Sequence, residues 1–160
     1  MRTPLLSAFL ALAALAPLCA GCNAELIPNT DVPDTAENRE AIRFVERYRH
    51  AVERRNVGEI LQLVSERFYD DNGTPTTDDD RDYDRLREEL AGVAERLLDV
   101  RYEMRYRRVT YRPDRILVDY TYTSSFKIAT PDGDRWETRL NDNRIELVRE
   151  GDELRIISGI

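Results

Sequence analysis

The sequence predicts an α+β fold, three N-terminal helices packed on an antiparallel sheet of about four strands, on three observations. Apolar residues recur every three to four positions from residue 38 to about residue 99. After residue 100 they recur every second position. The alternating runs are joined by tight-turn residues rather than by crossover helices. Helices gathered ahead of strands imply α+β rather than a parallel sheet, and a sheet with one apolar face must use those helices as its cover.

The first element is expected to begin near Asn38. Ala41, Phe44, Val45, Tyr48, Ala51 and Val52 form the buried stripe of an amphipathic helix, with Glu37, Arg39, Glu40, Arg43, Glu46, Arg47 and Glu53 on the wet side. Asn56 and Gly58 suit a break. Ile60, Leu61, Val64 and Phe68 then share one side of a second helix. Residues 70–82 read as a polar, Asp-rich loop, in which Asp78 to Asp80 offer caps and dipole-matched charge for a third helix. That helix carries Tyr83, Leu86, Leu90, Val93, Ala94 and Leu97, and should end near Asp99.

Tyr102, Met104 and Tyr106 open the alternating part. Arg107-Arg108 breaks the alternation as a bulge would, before Val109 and Tyr111. Arg112-Pro113-Asp114 is a turn, and Ile116, Val118, Tyr120, Tyr122, Ser124, Phe126 and Ile128 make one long strand. Pro131-Asp132-Gly133 is a hairpin turn. Trp136, Thr138 and Leu140 follow, Asn141-Asp142-Asn143 interrupts, and Ile145 and Leu147 resume. After the turn at Glu150-Gly151-Asp152, Leu154 and Ile156 close the sheet.

Ahead of this domain stands a leader. Met1-Arg2 is a short positive start, residues 5–18 are an apolar run containing Pro17, and Cys19-Ala20-Gly21-Cys22 follows. A spanning helix needs roughly 20 apolar residues, so the run suits an export signal. The Ala-Gly-Cys ending resembles the lipobox of bacterial lipoproteins, with Cys19 where that family has Leu. The resemblance implies cleavage after Gly21, acylation of Cys22 as the membrane anchor, and a cell-envelope protein facing the periplasm. Asn23, in place of an Asp after the cysteine, points to the outer membrane. Residues 22–37, with Pro28 and Pro33, read as the acylated cysteine and an extended tether, and residues 38–160 as one domain.

The Cys19-x-x-Cys22 spacing also spells a redox or zinc half-site, but it ends an apolar leader and has no second pair. Loss of residues 1–21 removes Arg2 and takes the net charge from −7 to −8. An acidic surface opposes sequence-independent nucleic-acid binding, which rests on phosphate neutralisation, and adhesion to anionic headgroups by charge alone. Lys127 is the sole lysine, and the arginines are spread over the whole chain rather than gathered into a patch.

The helical residues 44–52, the break at 55–58, the second helix at 59–65 with Phe68-Tyr69, and the closing hairpin 143–158 together resemble the NTF2-like superfamily, which includes SnoaL-like and ketosteroid-isomerase-like proteins. The resemblance implies a curved sheet wrapped on helices as an open-ended cone. It does not fix function, because isomerases, cyclases, hydrolases and non-catalytic modules share that fold.

Three constellations carry the functional reading. Tyr102, Met104, Tyr106, Tyr120, Tyr122 and Ser124 alternate along two strands, with Trp136 expected beside them. On the concave face of a cone they would line a pocket for an apolar or amphipathic ligand. The competing reading is ordinary helix-on-sheet packing, in which Ser124 is the residue out of place. The isomerase chemistry of the family needs a pocket carboxylate or His facing a Tyr. His50, the sole histidine, lies at the edge of a helix stripe, and Asp119 has the wrong parity to share a face with Tyr120 and Tyr122. No catalytic residue is therefore assigned. Asp78, Asp80, Asp82, Asp84 and Glu89 fall at EF-hand spacings, but Tyr83 stands where the sharp turn needs Gly. No metal or cofactor is expected. The expected partners are the membrane through Cys22, a small apolar ligand, and a second copy or another envelope protein. An isomerase or cyclase is the alternative.

Overall fold

The computed structural model describes residues 25–160. Cys22 and the leader before it lie outside the described residues.

Thr35 caps α1 (Ala36–Glu53), its hydroxyl accepting from the Asn38 amide at 3.1 Å. Ala41, Phe44, Val45, Tyr48 and Ala51 are buried as the periodicity requires. Arg55 takes the left-handed backbone conformation (φ 54°) at the break, whereas the expected Gly58 lies inside α2 (Val57–Leu63). Asn56 caps that helix by accepting from the Glu59 amide at 3.1 Å. α2 stops before the expected stripe ends. Val64 is extended and bridges Ile156 in parallel, and the Ser65 amide donates to the Ile156 carbonyl at 2.8 Å.

The Asp-rich loop is closed at its base by β1 (Tyr69–Asp70) and β2 (Arg81–Asp82), paired antiparallel. Asp70 is buried there and accepts from Arg81 at 3.1 Å and from the Gly159 amide at 2.9 Å. Asp82, not Asp78 to Asp80, caps α3 (Tyr83–Arg96), accepting from the Arg85 amide at 2.9 Å. Tyr83, Asp84 and Glu89 are thus helical, which removes the loop that an EF-hand needs. α3 packs on α2 and β2 and buries only Leu86 of its expected stripe. It ends at Arg96 rather than near Asp99, because Leu97 already pairs with Ile128 in the sheet.

The sheet consists of β3 (Leu97–Tyr111), β4 (Ile116–Ile128), β5 (Arg135–Glu150) and β6 (Glu153–Ser158), in that order and all antiparallel. The bulge falls where Arg107-Arg108 placed it, between Tyr106 and Arg108. β5 runs unbroken through Asn141, Asp142 and Asn143. α1 covers one face of β3 and β4. Val45, Val118, Ile145, Leu147 and Ile156 seal the core beneath it. Each fully buried aliphatic side chain contributes about 1.5–3 kcal/mol.

Residues 25–35, expected as tether, are folded onto the domain. The Asp31 amide donates to the Tyr106 carbonyl at 3.0 Å, and its carboxylate pairs with Arg105 and Arg107 at 2.9 Å each. Val32 is fully buried in the core cluster. An extended tether would leave Val32 in water, so the apolar contact decides against it.

Candidate functional site

Strand alternation puts Val100, Tyr102, Met104 and Tyr106 of β3 on the helix-facing side, opposite Phe126, Ser124, Tyr122 and Tyr120 of β4. The structure brings the expected tyrosines together. Tyr102 and Tyr122 meet edge to face with ring centres 5.5 Å apart, and Tyr120 and Tyr122 lie 6.1 Å apart. Tyr48 of α1 closes over them from the helix side. It is buried, and the fields of Tyr120 and Tyr122 reach its hydroxyl. Tyr48 was part of the α1 stripe in the sequence but was not assigned to the site, because nothing local says which stripe residue meets the tyrosines.

The phenols are held neutral. Burial pushes Tyr48, Tyr102 and Tyr106 well above the ordinary phenol range. Burial also raises Tyr120, to about 12, against the opposing hydrogen-bonding influence of Tyr102 and Asn143. Asn143 Nδ2 donates to the Tyr120 hydroxyl at 3.2 Å. The Tyr106 hydroxyl donates to Glu46 Oε1 at 2.6 Å and lies 3.6 Å from the Met104 sulfur. Burial raises the Glu46 carboxyl, but hydrogen bonds from Arg49 and Tyr106 outweigh it and leave the group below its ordinary value.

Ser124 is fully buried, and its Oγ has no hydrogen-bond partner. It pairs across the strands with Tyr102 on one side and Arg139 on the other. One row further along β4, the tyrosine wall gives way to an apolar depression of about 380 Å³ lined by Val93, Leu97, Phe126 and Ile128, with Arg96, Glu137 and Arg139 at its rim. The tyrosines fill their part of the interior, and the hollow lies beside them at the open end. Phe126 and Ile128 were present in the alternating pattern. Their role follows from α3 ending early and leaving them uncovered.

Trp136 is not in this group. It pairs with Lys127, whereas its neighbour Glu137 pairs with Phe126, so Trp136 belongs to the opposite face of the sheet. There its ring lies under the Arg101 guanidinium, 4.9 Å from centre to carbon. The expectation that it stands beside the tyrosines is corrected by its parity along β5, which runs unbroken from Arg135 to Glu150. Asp119 also faces outward, as its parity required, where it accepts from Arg144 at 2.6 Å and Arg108 at 2.9 Å. His50 is half exposed beside Glu46 and Glu53 and is not among the residues that line the depression.

Among the described residues, no group of three or more His, Cys, Asp or Glu side chains is placed to hold a metal ion. No helix among them is long and apolar enough to cross a membrane.

No protein-family model matches the chain, and no curated protein matches its sequence. Solved structures do match. An NTF2-like protein of unknown function from Pseudomonas putida KT2440 is 13% identical with a TM-score of 0.59, over 79% of this chain and 85% of the other. A structure from Novosphingobium aromaticivorans described as a candidate scytalone dehydratase is 10% identical with a TM-score of 0.64, over 77% and 80%. Bd1075 of Bdellovibrio bacteriovorus is 15% identical with a TM-score of 0.60, over 76% of this chain but only 38% of its own length. At such identities the likeness is one of fold: three helices on a four-stranded antiparallel sheet, the NTF2-like arrangement.

Proposed function

We propose that this NTF2-like domain is a non-catalytic receptor for a small amphipathic ligand, held at the open end of the cone. The observation that carries the reading is the apolar depression bounded by Val93, Leu97, Phe126 and Ile128, with charged groups at its rim and the unpartnered Ser124 hydroxyl one row below. An apolar hollow with a few convergent polar groups suits an amphipathic molecule. A titration with Nile red, a neutral apolar fluorophore, tests it. The chain should enhance the dye's emission, and Val93→Glu, at a half-exposed helix position, should abolish the enhancement while leaving the fold intact by circular dichroism. No enhancement, or an undiminished one in Val93→Glu, refutes the reading.

The same proposal places the protein in the cell envelope, facing the periplasm, at the outer membrane through a lipid on Cys22.

 The support is the leader's composition and the Ala20-Gly21-Cys22 ending. Labelling cells with a fatty-acid analogue tests it: Cys22→Ala should lose the label, and persistent labelling refutes the anchor.

One contact favours the second reading, an enzyme of isomerase or cyclase type. Glu46 sits 2.6 Å from the Tyr106 hydroxyl, a carboxylate beside a phenol as that chemistry requires. Against it, Glu46 is already engaged by Arg49 at 2.8 Å and does not line the open-end depression. A carboxylate held ionised by a guanidinium is a weak base, so the binding reading stands ahead.

A further inference from the structure

The sheet has two edges, and they are finished differently. The β3 edge is covered in part, at four backbone groups. The Asp31 amide donates to the Tyr106 carbonyl, Arg49 donates to the Tyr102 carbonyl at 3.2 Å, and Arg55 donates to the Leu97 carbonyl at 2.6 Å. Glu53 accepts from the Tyr102 amide at 3.3 Å. The other edge is bare over half its length. β6 pairs only with Glu146–Glu150, so the outward backbone groups of residues 135–141 in β5 have no ladder partner among the described residues. Two apolar side chains stand exposed on the same stretch, Trp136 at 44% and Leu140 at 71%. An open strand edge with exposed apolar residues is a template for pairing with another strand.

We infer that this edge pairs with the same edge of a second copy, antiparallel about a two-fold axis through Thr138. The argument is register. With the axis at Thr138, Trp136 of each copy faces Leu140 of the other on the outer side. Glu137 of each copy faces Arg139 of the other on the inner side, giving two opposite-charge pairs. Thr138 faces Thr138, and Arg135 faces Asn141. Moving the axis to Glu137 sets Glu137 against Glu137 and Arg135 against Arg139. Moving it to Arg139 sets Arg139 against Arg139. Like charges directly opposite destabilise a strand pair, and opposite charges and apolar pairs stabilise it. A two-fold contact repeats every such pair, doubling each effect. Arg139, at the rim of the apolar depression, makes no ion pair within the described residues, whereas Glu137 pairs with Arg135 of its own strand and would be shared between the two arginines. In the dimer Arg139 gains one, and the two open ends become neighbours.

The test is a charge exchange read by sedimentation velocity on the full-length chain in non-ionic detergent, at about 100 μM because an edge ladder buries less surface than a standard interface. The unaltered chain should sediment as a dimer. Glu137→Arg and Arg139→Glu should each yield monomer, since each places like charges opposite twice. The double exchange should restore the dimer. Arg139 is exposed and Glu137 partly so at the edge, and circular dichroism checks that the variants fold. A monomeric unaltered chain overturns the inference, as does a dimer indifferent to the single exchanges or a double exchange that stays monomeric. Nile red binding by the unaltered chain, measured beside its sedimentation, separates this outcome from a failure of the ligand site.

Discussion

Val118, Ile145, Leu147 and Ile156 lie under α1 and are sealed from solvent. Further along the same strands and on the same face, Ile128, Glu137 and Arg139 meet only the last turn of α3, across an open depression rather than a sealed layer. Backbone pairing is continuous through both regions, and β4 and β5 stay in register from one end to the other. What differs is the second layer. α1 spans the first region, whereas α3 leans on α2 and β2 and leaves the second open. A strand pair can therefore be regular throughout and still hold a packed core at one end and an uncovered surface at the other, the boundary being set by where the helices stop.

The largest expected effect lies in the sealed region. Ile145→Ala should cost about 2–5 kcal/mol, because it removes buried methyl groups and leaves a cavity that the neighbours only partly refill. Arg139→Ala, six residues away on the same face, should change stability by no more than about 0.5 kcal/mol. Urea denaturation of both variants measures the difference. Equal losses would mean that the open end is as tightly packed as the closed one.

That boundary was written in the sequence in a form that is easy to misread. Ile145 and Leu147 are odd-numbered, and Trp136, Thr138 and Leu140 are even-numbered. Joining the two sets into one apolar row required a break between them, and Asn141-Asp142-Asn143 looked like one. The strand is unbroken, so the two sets face opposite sides and the apolar row changes face at Asn143. The long helix, the bulge at Arg107-Arg108 and the four-strand order followed from periodicity and turn residues alone. The end of α3 did not. Leu97 fits the helical stripe as well as it fits the strand, and only the ladder partner Ile128, distant in sequence, decides between them. The same holds for Val32, whose burial against the domain has no local signal, and for Tyr48, which reads as any other stripe residue until the sheet is placed beneath it.

Where helix and sheet meet, Tyr106→Phe should cost about 1.5–3 kcal/mol, the range for a hydrogen bond to a charged group. It removes the donor to Glu46 and leaves the Arg49 pair in place. The corresponding change at Tyr122→Phe, whose hydroxyl makes no such bond, should be smaller. Chemical denaturation distinguishes them, and equal effects would deny Glu46 its role in fastening α1 to β3.

The same contact predicts a pH dependence. The Glu46 carboxyl is held below its ordinary value of 4.5 in the folded chain, so its contribution is present above that pH and is lost as the pH falls through the folded value. Thermal melting from pH 6 to pH 3 should show a shallower acid decline in Glu46→Gln than in the unaltered chain. At the other end, burial raises Tyr120 from 10.0 to about 12, so stability present below pH 10 should fall as the pH rises between those values. The phenolate absorbance of the four buried tyrosines, Tyr48, Tyr102, Tyr106 and Tyr120, should then appear together with unfolding rather than before it. Ionisation of the tyrosine cluster in a still-folded chain would contradict the burial.

The smallest effect is expected at Ser124, on the border of the two regions. Its hydroxyl is out of contact with solvent and bonded to nothing, so the folded chain bears the cost of desolvating it without return. Ser124→Ala removes that cost and almost no volume. Stability should rise, by up to about 1 kcal/mol, in contrast to every truncation in the sealed region. A loss of similar size would mean that the hydroxyl is satisfied in solution by an ordered water entering from the open end, and would move the boundary one row deeper, from Phe126 to Ser124.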